Sequence, residues 1–277
     1  MADKSSENSS PGKNSSDLAM VDYLSDFGVK IRLESNRSID LTRSGYAYFV
    51  IAGCVDIFAV RNPAADIAGP RLNIIRVEPG NLIFGIHPDE VSANVGFIGI
   101  AGTRTELLEM RFDDFCRSSQ DLAQRSPLAD LLEKWVKDLL EALCPGLGQK
   151  PVLFSEVKPG YSSEIADREV LGVRHGLVWV SGTGGLVRFM GRADLENFSR
   201  AKALPLSAKS WVSAEKSSVS VLATIGLTEA KDELSRILTD FHSLVVKLVR
   251  LQYDRIISEQ TRMLVQEKDQ EKRLVES

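Results

Sequence analysis

A split apolar run near the start of the chain limits what this sequence can fold into. Tyr46, Tyr48 and their aliphatic neighbours form an apolar segment that Gly53 interrupts, and a second apolar segment carrying Asp56 then runs to Val60. Aromatic and β-branched residues broken by a glycine favour a β-hairpin. The run is too short to cross a membrane as a helix, which takes about 20 apolar residues.

The same pattern returns more than a hundred residues later. The segment Val170–Val180 resembles the first one, and Gly176 stands where Gly53 stood. In this alignment Val50 corresponds to Val173, with the same sequence offset that separates Gly53 from Gly176. The sequence therefore predicts an internal duplication, with two related β-units.

Short apolar segments surround both copies and are separated by turn residues. Glu78-Pro79-Gly80-Asn81 and Pro159-Gly160 are typical of tight turns. Many short strands at regular spacing predict a mainly β chain with some helix, built from two small β-barrels of the jelly-roll type.

Two helical patterns complete the fold prediction. Leucines at helical spacing predict a connecting helix that ends at Cys144, with Ser126 as its N-cap. From Thr228 no glycine or proline interrupts the chain, which predicts a C-terminal helix about 75 Å long. Its apolar seam follows a heptad-type spacing and consists of Leu234, Ile237, Phe241, Leu244, Leu248 and Leu251.

These patterns predict four segments. Residues 1–22 are rich in serine, asparagine and charge and predict a disordered tail. Residues 23–147 then form the first barrel with its helix, 148–227 the second barrel, and 228–277 the long helix. The part beyond Tyr253 has few apolar residues and is expected to project from the body.

The composition bears on the partners and the cellular location expected for this chain. The formal net charge is −4 with no basic block, so nucleic acid is not expected as a partner. Three widely spaced cysteines favour free thiols in a reducing cytoplasm. No signal peptide and no membrane-spanning segment are expected.

The sequence contains no pattern of a metal site or an enzyme active site. His87, His175 and His242 are far apart, whereas a cupin metal centre needs closely spaced histidines, so turn and surface positions are expected for them. Gly182–Gly185 lacks the lysine of a phosphate-binding loop and is better explained as a turn. We therefore expect no catalytic residue, no metal and no cofactor.

The segment from Pro79 to Gly85, after a strand and a hairpin, resembles the cyclic-nucleotide-binding fold, a relative of the cupins. In that family a Phe-Gly-Glu segment opens the phosphate-binding cassette, and an arginine further on binds the cyclic phosphate. Phe84 and Gly85 match, but Ile86 replaces the glutamate, and Ser92–Val95 supplies no arginine. The resemblance implies the barrel, with Phe84, Gly85 and Ile86 as a degenerate ligand-binding cassette.

A narrower resemblance rests on Gly53–Val60, Arg71–Gly85 and Phe241–Arg273. These segments are similar to the soluble N-terminal region of bacterial ABC exporters of the nitrile-hydratase-leader-peptide (bacteriocin-type) class. The resemblance implies a protein partner, either the exporter core or a leader peptide, and a cytoplasmic location tethered to the inner membrane through the transporter.

Three functions remain open on the sequence. The first is a non-enzymatic regulatory or docking module, and the second is a small-molecule sensor that signals through the C-terminal helix. The third is a cupin-type enzyme, and elemental analysis that finds metal in a stoichiometric amount with the protein would support it. The helical seam either joins two copies in a homo-oligomer or packs within the chain over Thr228–Gln252.

Overall fold

The N-terminal part of the chain is more ordered than the sequence predicts. The computed structural model describes residues 15–43, 45–61, 70–86, 94–119, 121–195, 203–228 and 231–275. Within the predicted tail of residues 1–22, helix α1 already begins; it spans Ser15–Ser25 and buries Met20 and Leu24 in the core. The tail prediction is therefore wrong from Ser15 onward, and residues 1–14 lie outside the described part.

Eight strands form the first pair of sheets. They are β1 (Gly28–Leu33), β2 (Ser38–Asp40), β3 (Tyr46–Ala52), β4 (Val55–Arg61), β5 (Arg71–Val77), β6 (Leu82–Phe84), β7 (Val95–Ala101) and β8 (Thr105–Arg111). Their orders are β1-β8-β3-β6 and β2-β7-β4-β5, with antiparallel pairing throughout. This is the two-sheet arrangement of a jelly roll.

A second pair of sheets repeats this topology in seven of its eight strands. Its strands are β9 (Ser155–Glu156), β10 (Ser162–Ile165), β11 (Glu169–Gly172), β12 (Leu177–Thr183), β13 (Leu186–Phe189), β14 (Leu204–Ser207), β15 (Trp211–Glu215) and β16 (Ser217–Leu222). The orders are β10-β16-β12-β14 and β13-β15-β11-β9, in which only β9 pairs in parallel. This eighth strand, β9, pairs with the counterpart of β2 and not with that of β4. The predicted fold class, mainly β with helices and two jelly-roll units, is confirmed.

The two glycines that suggested the duplication occupy different places in the topology. Gly53 separates β3 from β4, which belong to opposite sheets, so the predicted hairpin is a crossing between sheets. Gly176 separates β11 from β12. Strand β12 lies between β14 and β16 as β3 lies between β6 and β8, so β12 is the counterpart of β3. The alignment of Gly53 with Gly176 is therefore wrong by one strand.

Four helices follow the sheets or connect them. They are α2 (Phe112–Ser118), α3 (Arg125–Leu143), α4 (Thr224–Leu227) and α5 (Lys231–Val275). Helix α3 begins one residue before the predicted cap: Gln124 is its N-cap, and Ser126 lies inside the helix. The predicted stop at Cys144 is confirmed, because Cys144 is the C-cap.

Helix α3 lies between the two sheet pairs. It contacts β5 and β6 of the first pair, β14 of the second, and helices α4 and α5. Its apolar face buries Leu128, Leu132, Trp135 and Leu139, so one continuous core joins both units through this helix. In the described part of the chain, no helix is long and apolar enough to cross a membrane.

Candidate functional site

The predicted ligand-binding cassette lies in the hydrophobic core. The side chains of Phe84 and Ile86 are buried. The backbone N–H of Gly85 donates to the carbonyl of Tyr46 at 3.0 Å, and that of Ile86 donates to Leu41 at 2.7 Å. These residues present neither an accessible surface nor a charged group, so the geometry does not support their predicted role in binding a ligand.

Phe84 belongs to a cluster of rings that connects the first unit to helices α3 and α5. Its ring centroid lies 5.0 Å from that of Phe115, 5.9 Å from that of Trp135 and 6.2 Å from that of His242. The contacts with Phe115 and Trp135 are edge-on, and such contacts stabilise a core beyond the area that they bury. The phenylalanine that resembles a cassette residue is therefore a packing residue here.

His242 lies inside this cluster and not at the surface. The indole N–H of Trp135 donates to its Nε2 at 3.2 Å, and the surrounding apolar side chains lower its pKa to about 3. The surface position expected for His242 is therefore wrong. His175 is exposed as expected, and His87 lies outside the described residues. Among the residues that the structure describes, no group of three or more His, Cys, Asp or Glu side chains could hold a metal ion.

A second polar connection joins the second unit to α3. The indole N–H of Trp179 on β12 donates to Oγ1 of Thr224 at 3.1 Å, and this hydroxyl donates to Oε2 of Glu133 on α3 at 3.3 Å. Leaving a buried indole N–H unpaired costs about 1–3 kcal/mol, which this bond avoids for Trp179. Helix α3 is thus bonded to α5 through Trp135 and to the second unit through Trp179.

The predicted helical seam faces the chain's own core. Leu251 is half-buried and the other members are buried, namely Leu234, Ile237, Phe241, Leu244 and Leu248. This is the packing that the intramolecular alternative expects over Thr228–Gln252. Helix α5 contacts α3 and α2. A partner interface through the seam itself stays a prediction.

Helix α5 leaves the body of the protein at one turn, residues 251–255, which we term the exit turn. Gln252 Nε2 donates to the carbonyl oxygens of Leu143 at 2.6 Å and Pro145 at 2.9 Å, so it caps the end of α3. The hydroxyl of Tyr253 donates to the carbonyl of Ala59 at 2.8 Å, near the carbonyl of Pro70 at 2.9 Å. Sequence analysis missed both residues, because an apolar seam shows where a helix packs but not which polar groups anchor it.

From Ile257 onward, α5 is exposed as far as its side chains are described. Ile257 is 41% exposed, Met263 61%, Leu264 59% and Val265 54%. This agrees with the predicted projection after Tyr253. Ile257 and Leu264 are seven residues apart and form a small apolar face on one side of the helix, which also carries Gln260 and Thr261.

Comparison with known proteins gives likeness of fold only. No protein-family model matches this chain, and no curated protein matches it. The heme domain of CooA from Carboxydothermus hydrogenoformans is 14% identical, with 45% of this chain and 85% of that chain covered and a TM-score of 0.34. Reduced CprK without ligand is 11% identical over 53% of this chain and 74% of its own, with a TM-score of 0.33.

A third solved structure is CLP, described as a c-di-GMP-responsive global regulator in Xanthomonas campestris. It is 15% identical over 54% of this chain and 80% of its own, with a TM-score of 0.35.

Proposed function

We propose that this chain is a non-enzymatic regulatory or docking module that presents the projecting half of α5 to a protein partner. One observation carries the proposal. Helix α5 packs against the chain's own core up to Tyr253, and every side chain from Ile257 to Glu267 is exposed. An exposed apolar face on a rigidly anchored helix is typical of a binding surface.

The anchoring gives this surface a fixed direction. Leu244 and Leu248 are buried, and Gln252 and Tyr253 bond to backbone carbonyls of α3, β4 and Pro70. A helix held in this way loses little conformational freedom when its projecting half binds a partner. The two jelly-roll units therefore serve as the support for one interaction helix.

The sequence resemblance supports one class of partner. Phe241–Arg273, which includes the projecting half, is similar to the segment that leads toward the transporter core in bacterial peptide exporters. We therefore infer an export ABC transporter core, or the leader peptide of its cargo, as the partner, with the chain held at the cytoplasmic side of the inner membrane.

The test compares two variants that add the same charge to opposite faces of the projecting half. Leu264→Asp alters the apolar face, whereas Gln266→Asp, two residues on, points about 200° away. Both side chains are exposed, so both variants should melt like the wild type. In pull-downs with the exporter core and with leader peptide, Leu264→Asp should weaken binding at least about tenfold, and Gln266→Asp should not.

Two results would count against the proposal. One is equal binding by both variants, which would show that the apolar face is not part of the interface. The other is a wild-type chain that binds neither the exporter core nor leader peptide and instead turns over a metabolite.

A further inference from the structure

Two neighbouring side chains on the linker between α3 and β9 are the most exposed large apolar groups among the described residues. Val152 is 96% exposed and Leu153 is 87% exposed. They follow Pro151, and we term residues 151–153 the linker tip. Both side chains remain in water, although transfer out of water is favourable for aliphatic groups of this size. The linker tip is therefore a candidate contact surface for something outside this chain.

The residue before the tip is fixed to the second unit. Nζ of Lys150 donates to the carbonyl oxygen of Val173 at 2.6 Å and lies 3.4 Å from that of Ala208. The first carbonyl belongs to the turn between β11 and β12, and the second follows β14. The linker therefore enters the tip from a point that the body of the second unit holds in place.

The residue after the tip is fixed as well. The ring centroid of Phe154 lies 4.1 Å from Nζ of Lys150, and a Cβ on Gly172 would lie 3.2 Å from Cδ2 of the same ring. Ser155 then begins β9, which pairs with β11. Because only the linker tip lies between these two fixed points, its two aliphatic side chains are held outward.

Positive charge lies beside the tip. The partners of the Lys150 ammonium are neutral carbonyls, which leave its charge uncompensated. Lys209 follows the second of these carbonyls, is exposed and forms no ion pair with a described residue. Arg174 follows the first and pairs with Glu156 at 3.0 Å. These three cations and one carboxylate together carry a charge of +2, in a chain whose formal net charge is −4.

We propose that the linker tip inserts into the surface of an anionic phospholipid bilayer, with the neighbouring lysines at the lipid headgroups. Attachment of this kind grows with the apolar area that inserts and with the attraction between cations and anionic lipids. Val152 and Leu153 supply the apolar area, and Lys150 and Lys209 supply the attraction. The net negative charge of the whole chain opposes other contacts with the same lipids. Two aliphatic side chains give reversible attachment and not a permanent anchor.

The linker that carries the tip also borders the exit turn of α5. Gln252 donates to the carbonyl of Pro145 at 2.9 Å, and Leu147 and Leu251 line one cavity there. From Leu147 to Val152 the chain spans at most about 18 Å. With the tip at a bilayer, the projecting half of α5 would therefore leave the body close to that bilayer. The identity of the bilayer as the inner membrane rests on the proposed function; the lipid contact itself does not.

The test is co-sedimentation of the full chain with protein-free vesicles, made of phosphatidylcholine alone or mixed with phosphatidylglycerol. We expect binding to the anionic vesicles that weakens as salt is added. The double variant Val152→Ser/Leu153→Ser should bind at least about tenfold more weakly, because two inserted aliphatic side chains are lost. The double variant Val29→Ser/Leu122→Ser is the matched control and should bind like the wild type, because these side chains are 68% and 78% exposed outside the linker.

Two further variants separate charge from insertion. Lys209→Gln keeps the tip and should weaken binding about fivefold. Leu153→Trp should shift its fluorescence emission to the blue when anionic vesicles are added, whereas Leu122→Trp should not. The native tryptophans are buried and give a constant background, namely Trp135, Trp179 and Trp211. Thermal melting shows that each variant is folded.

Four results would overturn the proposal. They are a wild-type chain that binds neither kind of vesicle, equal losses in the two double variants, an unchanged emission of Leu153→Trp, and a loss in Leu264→Asp as large as that in the tip variant. The last would show that α5 makes the lipid contact. Because the vesicles contain no exporter core and no leader peptide, failure here leaves the docking proposal intact, and the reverse also holds.

Discussion

Trp135 on helix α3 donates its indole N–H to Nε2 of His242 on helix α5 across 3.2 Å. The acceptor nitrogen must be unprotonated for this bond to form, so the imidazole is neutral in the folded protein. Burial among Phe84, Phe241 and Trp135 lowers its pKa to about 3. The contact between the two helices therefore depends on the protonation state of one histidine.

This histidine makes the fold sensitive to acid. Below the ordinary His pKa of 6.5 the unfolded chain binds a proton on this imidazole that the folded chain does not bind. The free energy of unfolding should therefore fall as the pH drops from about 6.5 toward 3, and His242 should account for about 2 kcal/mol of loss between pH 7 and pH 5. Urea unfolding at the two pH values measures it.

His242→Gln is the control for that prediction, because the amide oxygen can still accept the indole N–H but does not titrate. The variant should lose about 2 kcal/mol less than the wild type between the two pH values. An identical loss in both proteins would show that acid acts through other groups.

The packing role of Phe84 gives a second prediction. Phe84→Ala removes a buried ring that contacts Phe115, Trp135 and His242, and it should lower the free energy of unfolding by about 3 to 5 kcal/mol. Denaturant unfolding measures the loss. Leu153→Ala, at a position that is 87% exposed, should change stability by less than about 0.5 kcal/mol. A Phe84→Ala protein as stable as the wild type would mean that this side chain is free for a ligand after all.

The crossing glycines give a third prediction. Gly53 has φ +73° and Gly176 has φ +71°, so alanine at either position costs roughly 1 kcal/mol in backbone strain. A Cβ at Gly53 would also lie 2.7 Å from the Cα of Thr105, whereas at Gly176 the nearest atom, on Glu133, is 4.0 Å away. Gly53→Ala should therefore lower the free energy of unfolding by about 2 to 4 kcal/mol, and Gly176→Ala by roughly 1 kcal/mol. Equal losses in the two variants would show that Thr105 moves away from the new methyl group at no cost in free energy.

The buried half of α5 gives a fourth prediction. Placing Asp at both Leu244 and Leu248 puts two unpaired charges into a closed core and should abolish cooperative thermal melting. Leu248→Ala is the milder version and should cost about 2 to 5 kcal/mol while the protein still folds. An unchanged melting temperature and an unchanged mass in light scattering for the double variant would show that these leucines lie outside any packed surface.

The sequence alone specified most of the local structure. The predicted turn Glu78-Pro79-Gly80-Asn81 lies where β5 ends and β6 begins, because turn residues mark strand ends at short range. The C-terminal helix and the point at which its exposed half begins also follow from residue spacing, since helical periodicity is a local property.

Tertiary structure alone decided how these segments combine. The sequence placed Gly53 in a hairpin and aligned it with Gly176, but strand pairing depends on long-range hydrogen bonds, which put β3 and β4 into opposite sheets. The burial of His242 and Ile86 likewise depends on neighbours that are distant in the chain. The contact that anchors the exit turn joins Tyr253 to Ala59, 194 positions apart. Periodicity does not encode such a pair, because only the packing of both units around α3 brings the two residues together.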